Sequence, residues 1–60
     1  MELYDFIEMA IDNYYSCYVW DTNKEENIFV GELADIPDEL LNHEVVSWEM
    51  SDGKIGFNII

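Results

Sequence analysis

The chain is almost devoid of positive charge. Two lysines, Lys24 and Lys54, and no arginine stand against fourteen aspartates and glutamates, which gives a formal net charge of −12 in 60 residues. Binding to nucleic acid depends on basic side chains that displace counterions from the phosphates, and anionic membrane surfaces attract basic segments. The shortage of basic residues therefore argues against both ligands. It favours a protein partner that carries a basic surface.

Cysteine and long apolar runs are scarce as well. Cys17 is the only cysteine, so an intrachain disulfide or a cysteine-based zinc site cannot form. We interpret Cys17 as a small apolar strand residue; a reactive thiol or an intermolecular bridge is the alternative. No apolar run approaches the ~20 residues of a membrane span, and no secretion signal is recognisable. We expect a cytoplasmic protein.

The groups that catalysis commonly uses are missing. The chain has no arginine to clamp an anion, and His43 is its only histidine. Carboxylate pairs such as Glu25-Glu26 are common on solvated loops, and acid–base catalysis needs a pocket that perturbs a pKa. We therefore expect a protein that is not an enzyme and that holds no cofactor or metal.

One acidic segment resembles a calcium-binding loop. Its oxygen ligands would come from Asp21, Asn23, Glu25 and Glu32. The sixth position of such a loop needs glycine for its sharp turn, but here it is Glu26, and helices should flank the loop where this sequence predicts strands. We expect no specific calcium site.

The apolar content predicts a folded domain. Half of the residues are hydrophobic and nine are aromatic, which is more than a disordered polyanion contains. A chain of this length forms one domain, residues 1–60, with a small core. Self-association would add buried area, so a symmetric homodimer is a further expectation.

Residues 2–15 predict an amphipathic helix, because apolar side chains recur at three- and four-residue steps. Its apolar side consists of Leu3, Ile7, Ala10, Ile11 and Tyr14. The opposite side carries the acids Glu2, Asp5, Glu8 and Asp12, and Met9 lies among them. An acidic stripe that includes a methionine is typical of a protein-binding face.

The residues that follow predict a first hairpin. Segments 17–22 and 27–33 are rich in β-branched and aromatic residues, and a four-residue loop at 23–26 separates them. The simplest register places Trp20 opposite Phe29 and Tyr18 opposite Gly31, whose missing side chain leaves room for the tyrosine ring. Tyr18, Trp20 and Phe29 would share one apolar face.

The C-terminal residues predict a second hairpin. Asp52-Gly53 is typical of a two-residue type I′ turn. Counting outward from the turn gives three apolar pairs on one face: Met50 with Ile55, Trp48 with Phe57, and Val46 with Ile59. We expect the Trp48–Phe57 pair to lie at the centre of the core.

A short second helix is predicted between the hairpins. Pro37 fits the first turn of a helix, and the acids of Asp35-Ile36-Pro37-Asp38-Glu39-Leu40 suit the positive end of its dipole. The predicted order is α-β-β-α-β-β. This is an α+β fold in which one antiparallel sheet packs against the N-terminal helix.

The whole chain resembles a class of proteins in its small size, its acidity and its aromatic content. Two segments add to this resemblance: Asp35-Ile36-Pro37-Asp38-Glu39-Leu40 and Asp52-Gly53-Lys54-Ile55. The chain resembles the small acidic proteins of phages and mobile elements in low-GC bacteria. Several of those are anti-defence proteins that inhibit restriction or CRISPR systems or other host nucleases. The resemblance implies an inhibitor that acts by binding a protein, located in the host cell cytoplasm if a phage encodes it. It assigns a role to no individual residue.

Two functional hypotheses remain open. In the first, the protein inhibits a host defence nuclease or helicase, and in one variant it does so as a nucleic-acid mimic. In the second, it is an accessory or regulatory subunit whose acids serve only solubility and whose apolar hairpin face makes the contact. The candidate partner-binding residues are Glu2, Asp5, Glu8, Met9, Asp12, Tyr18, Trp20, Asp21, Glu25, Glu26 and Phe29.

Overall fold

The architecture was analysed in a computed structural model that describes residues 1–9 and 15–60. One helix and four strands make up its regular structure: α1 (Leu3–Met9), β1 (Ser16–Asp21), β2 (Glu26–Glu32), β3 (Val45–Ser51) and β4 (Lys54–Ile59). The α+β class agrees with the sequence prediction. The predicted helix positions at Ala10, Ile11, Asp12 and Tyr14 lie outside the described residues.

The four strands form one mixed sheet in the order β2-β1-β4-β3. Each hairpin is antiparallel, but the two central strands, β1 and β4, run parallel. The prediction of a wholly antiparallel sheet is therefore wrong. The reason is that residues 33–44 carry the chain from the end of β2 back to the opposite end of the sheet before β3 begins, as a parallel pairing requires.

The prediction of a second helix is also wrong. Residues 33–44 contain two single 3₁₀ turns, Leu33–Asp35 and Asp38–Leu40, and the order α-β-β-α-β-β is not matched. Pro37 disfavours a helical conformation in the residue before it, and Ile36 is extended with ψ of 125°. The buried Leu33 and Ile36 side chains anchor this crossover against the core.

The core lies on one side of the sheet, which is called the helix side here. Each of its members has less than a tenth of its surface exposed: Leu3, Cys17, Val19, Leu33, Ile36, Val45, Phe57 and Ile59. Leu3 lies there as the helical pattern predicted. Phe6, which that pattern left out, packs its ring edge-on to Phe57 with 5.1 Å between the ring centroids.

The start of the chain fixes α1 to the sheet. The Glu2 amide donates to the Asp5 carboxylate over 3.0 Å, and the Asp5 amide donates to the Glu2 carbonyl over 3.0 Å. This reciprocal arrangement resembles a capping box at the helix N-terminus. The Met1 carbonyl accepts from the Val45 amide at 2.8 Å, and the N-terminal ammonium pairs with Glu44 at 2.9 Å. α1 thus begins beside the first residue of β3.

The first hairpin forms as predicted, but with a different register. Val19 pairs with Phe29, where the prediction paired Trp20 with Phe29, and the register shifts again between Val19 and Trp20. The cause is local. The Asp21 carboxylate accepts the amides of Asn23 and Lys24, at 2.9 and 3.1 Å, which ends β1 at Asp21 and begins the turn one residue earlier than predicted.

The second hairpin agrees with the prediction near its turn. Asp52 and Gly53 both have positive φ, 52° and 74°, as a type I′ turn requires. The predicted Trp48–Phe57 and Met50–Ile55 pairs are confirmed. Farther from the turn a bulge intervenes, so that Val45 pairs with Ile59 where the prediction placed Val46.

A glycine leaves room for the Tyr18 ring, but it is Gly56 and not the predicted Gly31. Tyr18 pairs with Val30 on one side and with Gly56 on the other, and a Cβ atom at Gly56 would collide with the tyrosine ring. We predict that Gly56→Ala destabilises the fold by about 1–3 kcal/mol, the usual cost of overpacking, as measured by chemical denaturation.

A double-mutant cycle supplies the control for this contact. In a Tyr18→Ala background the added methyl group meets no ring, so Gly56→Ala should cost much less there. Equal costs in the two backgrounds would contradict the contact.

Candidate protein-binding surface

The edge strand β3 exposes large apolar side chains. Trp48 is 56% exposed and Met50 is 52% exposed. Both lie on the helix side, because their cross-strand partners are Phe57 and Ile55. The prediction that Trp48 lies at the centre of the core is therefore wrong. Phe57 occupies that place, with 1% of its surface exposed.

The position of α1 explains the difference between the two paired aromatic residues. The Phe6 ring lies 5.1 Å from Phe57 but 6.2 Å from Trp48, between ring centroids. Trp48 meets Phe6 of the helix in a T-shaped arrangement, and among the described residues β3 has β4 as its one neighbouring strand. Its other surface stays exposed in the part of the chain that the structure describes.

An apolar cleft of about 260 Å³ adjoins Trp48. The side chains that line it come from α1, the crossover and the second hairpin, and all are apolar: Phe6, Met9, Leu33, Trp48, Ile55 and Phe57. Concave apolar sites of this kind accept apolar groups of a ligand. Trp48 and Met50, together with this cleft, are called the β3 surface below.

The predicted acidic stripe on α1 is partly used within the protein. Glu2 and Glu8 are exposed, but the Asp5 carboxylate accepts the Glu2 amide. Glu8 accepts the hydroxyl of Tyr4, and this hydrogen bond together with the negative charge of Glu8 raises the pKa of Tyr4. The fourth acid, Asp12, lies outside the described residues. Two of the three described acids thus have internal partners.

The acidic residues at the turn of the first hairpin also differ: two are exposed, and one is bonded within the protein. Glu25 and Glu26 are exposed at the end of the hairpin. Asp21 is only 7% exposed, and it accepts two backbone amides. Its carboxylate stabilises the turn, and its role in partner binding stays a prediction.

The aromatic residues of the first hairpin do not share a face. Tyr18 and Trp20 lie on the side of the sheet opposite α1, next to the exposed Val30, whereas Phe29 packs against the core. The Tyr18 hydroxyl donates to Glu49 over 3.2 Å. Burial, followed by the negative charge of Glu49, raises the pKa of Tyr18. This face is a second, more polar surface.

Cys17 is buried in the core, as the strand interpretation predicted. Burial raises the pKa of its thiol to about 11. The folded protein therefore prefers the neutral thiol, so the contribution of Cys17 to stability should be constant below the unfolded-state pKa near 9 and should fall as pH rises from there toward 11. Thermal melts of wild type and Cys17→Ala across this range test the effect, because the alanine variant should lose the thiol's share of that fall.

A matched chemical test is thiol labelling. At pH 8 the folded protein should react with a thiol reagent far more slowly than the urea-unfolded chain. Equal rates would contradict the burial of Cys17.

Sequence reasoning missed Phe6 and the exposure of Trp48. Alternation along β3 correctly placed Trp48 and Met50 on one face. However, a period of two does not tell whether another element covers that face. The tertiary arrangement decides it: β3 lies at the edge of the sheet, and Phe6 packs closer to Phe57 than to Trp48.

Comparisons with protein families, with curated proteins and with solved structures find no match for this chain. Among residues 1–9 and 15–60, no helix is long and apolar enough to span a membrane. Nor do three or more potential metal-ligating side chains come together in those two segments.

Proposed function

We propose that this protein acts by binding another protein, as an inhibitor or adaptor, and that the β3 surface makes the central contact. The exposure of Trp48 and Met50 beside an apolar cleft carries this proposal. Clustered exposed apolar residues are typical of interaction sites. Tryptophan is also among the residues that contribute most to binding energy at interfaces.

The net charge of −12 gives the partner a chemical character. Exposed carboxylates at Glu2, Glu25 and Glu26 would attract a basic protein and speed its association. Such long-range attraction governs the rate and selectivity of association more than the final affinity. The proposal thus combines the basic partner of the first hypothesis with the apolar contact of the second.

Proteins that bind nucleic acid are the partners that this chemistry fits best. Their basic grooves are attractive to an anionic protein, and the resemblance to small anti-defence proteins favours a host defence nuclease or helicase. Mimicry by the α1 acids receives less support, because Asp5 and Glu8 have partners within the protein. Two further expectations stay predictions: that the protein is not an enzyme, and that it forms a homodimer.

A salt series tests the proposal. The protein would be immobilised, its partner captured from a lysate of the host cells and then purified, and the affinity measured between 0.1 and 0.5 M NaCl. Screening shortens the range of charge attraction from about 10 Å to a few ångströms over this interval. An apolar contact predicts a loss of affinity below about tenfold. A loss above about a hundredfold would mean that the acids, rather than the β3 surface, carry the binding.

A further inference from the structure

We propose that the β3 surface binds its partner by strand addition: an extended segment of the partner pairs with the free edge of β3. The segment would alternate apolar residues with lysine or arginine. This inference depends on the proposed function and specifies the chemistry of the partner at the same site.

The register of the second hairpin fixes which backbone groups are free. Ser51 and Lys54 flank a two-residue turn, so they form a hydrogen-bonded pair. Hydrogen-bonded and non-hydrogen-bonded pairs alternate along an antiparallel ladder. Glu49 and Ser47 therefore bond to β4, whereas the N–H and C=O groups of Trp48 and Met50 point away from the sheet.

The same edge already accepts a short stretch of extended chain. Glu2 forms an antiparallel bridge with Glu44, and the Val45 amide donates to the Met1 carbonyl at 2.8 Å. Beyond Val45, the ladder with β4 supplies the backbone hydrogen bonds of β3, and no other backbone group of residues 1–9 or 15–60 bonds to it. Residues 47–51 thus continue an edge whose first part is paired.

This edge has few of the features that usually block strand addition, and Glu49 is the one charged residue among residues 47–51. Residues 47–51 contain no lysine and no proline, and their register with β4 is regular. The opposite edge strand, β2, is interrupted by the register shift opposite Val19 and Trp20. Irregular edges and charged or proline residues are common defences against unwanted pairing, so β3 is the more receptive edge.

The two faces of β3 define the side chains that an added strand should carry. On the helix side its residues would lie beside Trp48 and Met50 and reach the apolar cleft. On the other side they would lie beside the Glu49 carboxylate. Since side chains alternate between faces with a period of two, the favoured ligand alternates apolar and basic residues.

Charge decides between such a ligand and a second copy of this chain. Each copy carries a net charge of −12, and antiparallel pairing of two β3 strands would bring the Glu49 side chains of both copies onto one face. Like charges that lie close across strands are destabilising. A basic segment meets the same carboxylate with the opposite charge.

The test uses a short synthetic peptide that alternates lysine and isoleucine, with blocked ends, and amide hydrogen exchange of the wild-type protein by NMR. With the peptide at about ten times its dissociation constant, exchange at Trp48 and Met50 should slow by about tenfold. The Glu49 amide, already bonded to β4, is the internal reference. A control peptide of the same composition, with its lysines and isoleucines in separate blocks, should give no such protection.

Three results would overturn strand addition: no binding of the alternating peptide, binding without slower exchange at Trp48 and Met50, or equal protection by the control peptide. Protection in the free protein, together with a dimer mass by light scattering, would assign the edge to a second copy and overturn it as well. None of these results decides whether the natural partner contacts the Trp48 and Met50 side chains. The proposed function is tested separately by side-chain variants.

Discussion

Replacing Phe57 by alanine is expected to lower the free energy of unfolding by about 3–5 kcal/mol, the usual range for a truncated core aromatic. Phe57 is 1% exposed, and its ring meets Phe6 at 5.1 Å between centroids. A domain of this size has only a few kcal/mol of stability. We therefore expect Phe57→Ala to be largely unfolded at 25 °C, with a lost thermal transition by circular dichroism.

The neighbouring tryptophan provides the matched control. Trp48 is directly opposite Phe57 but more than half exposed, and its main described contact is the edge of the Phe6 ring. Trp48→Ala should cost about 1 kcal/mol, the contribution of a single aromatic pair. If Trp48→Ala unfolded the protein while Phe57→Ala melted cooperatively near the wild-type temperature, the assignment of core and surface would be reversed.

The second large effect concerns binding. Trp48→Ala should weaken binding of the purified partner by about 2 kcal/mol or more, the threshold for an interface hot spot, which corresponds to about thirtyfold in affinity. The reason is that Trp48 presents a large apolar surface beside the cleft. Isothermal titration of the folded variant with the partner measures the change.

Val30→Ala is a suitable comparison for that experiment. Val30 is 60% exposed and lies on the opposite side of the sheet, next to Tyr18. Its truncation should change the affinity by less than about threefold, below a 1 kcal/mol effect. A larger loss for Val30→Ala than for Trp48→Ala would move the contact to the Tyr18 side of the sheet.

The second hairpin was the part of the fold most open to prediction, because its signal is local. Asp52-Gly53 fits only a few turn geometries, and the turn fixes the register of the residues next to it. The turn no longer determines the register beyond the bulge near Val45, where the start of the chain pairs with β3. The partner at that point comes from the far end of the sequence, and periodicity carries no information about it.

The first hairpin shows how one side chain can change a register. The apolar pattern of both strands is compatible with two neighbouring registers, since apolar residues occur on both faces. Asp21 decides between them by accepting the amides of Asn23 and Lys24. Hydrogen bonds in which an aspartate carboxylate accepts the amides of the next residues compete with strand pairing. The pattern of apolar residues does not predict them.

The parallel pairing of the two central strands, β1 and β4, could not be predicted from either hairpin. Each hairpin alone predicts antiparallel pairing, whereas the β1–β4 pairing depends on the path of residues 33–44. Pro37 was correctly identified as a structural signal, but it separates two 3₁₀ turns and does not begin a helix. Ile36, held extended before Pro37, divides this connection into two short turns.

The candidate site was only partly predictable for a related reason. The sequence shows that Trp48 and Met50 share a face, and it shows that the chain is strongly acidic. Their exposure results from the position of β3 at the sheet edge and from the contact of Phe6 with Phe57. Both are properties of the tertiary arrangement.

The central claim is that the β3 surface, and not the acidic residues, makes the partner contact. It is tested most directly by capturing the partner with two variants side by side, Trp48→Ser/Met50→Ser and Glu2→Gln/Glu8→Gln/Glu25→Gln/Glu26→Gln, after circular dichroism has shown that both are folded. At 0.15 M NaCl the account predicts that the first variant captures less than about a tenth of the partner captured by wild type, since a tenfold loss needs only about 1.4 kcal/mol. The second variant should retain most of it. Full capture by the serine variant, with loss of capture by the glutamine variant, would contradict the account and return the function to the acidic surface.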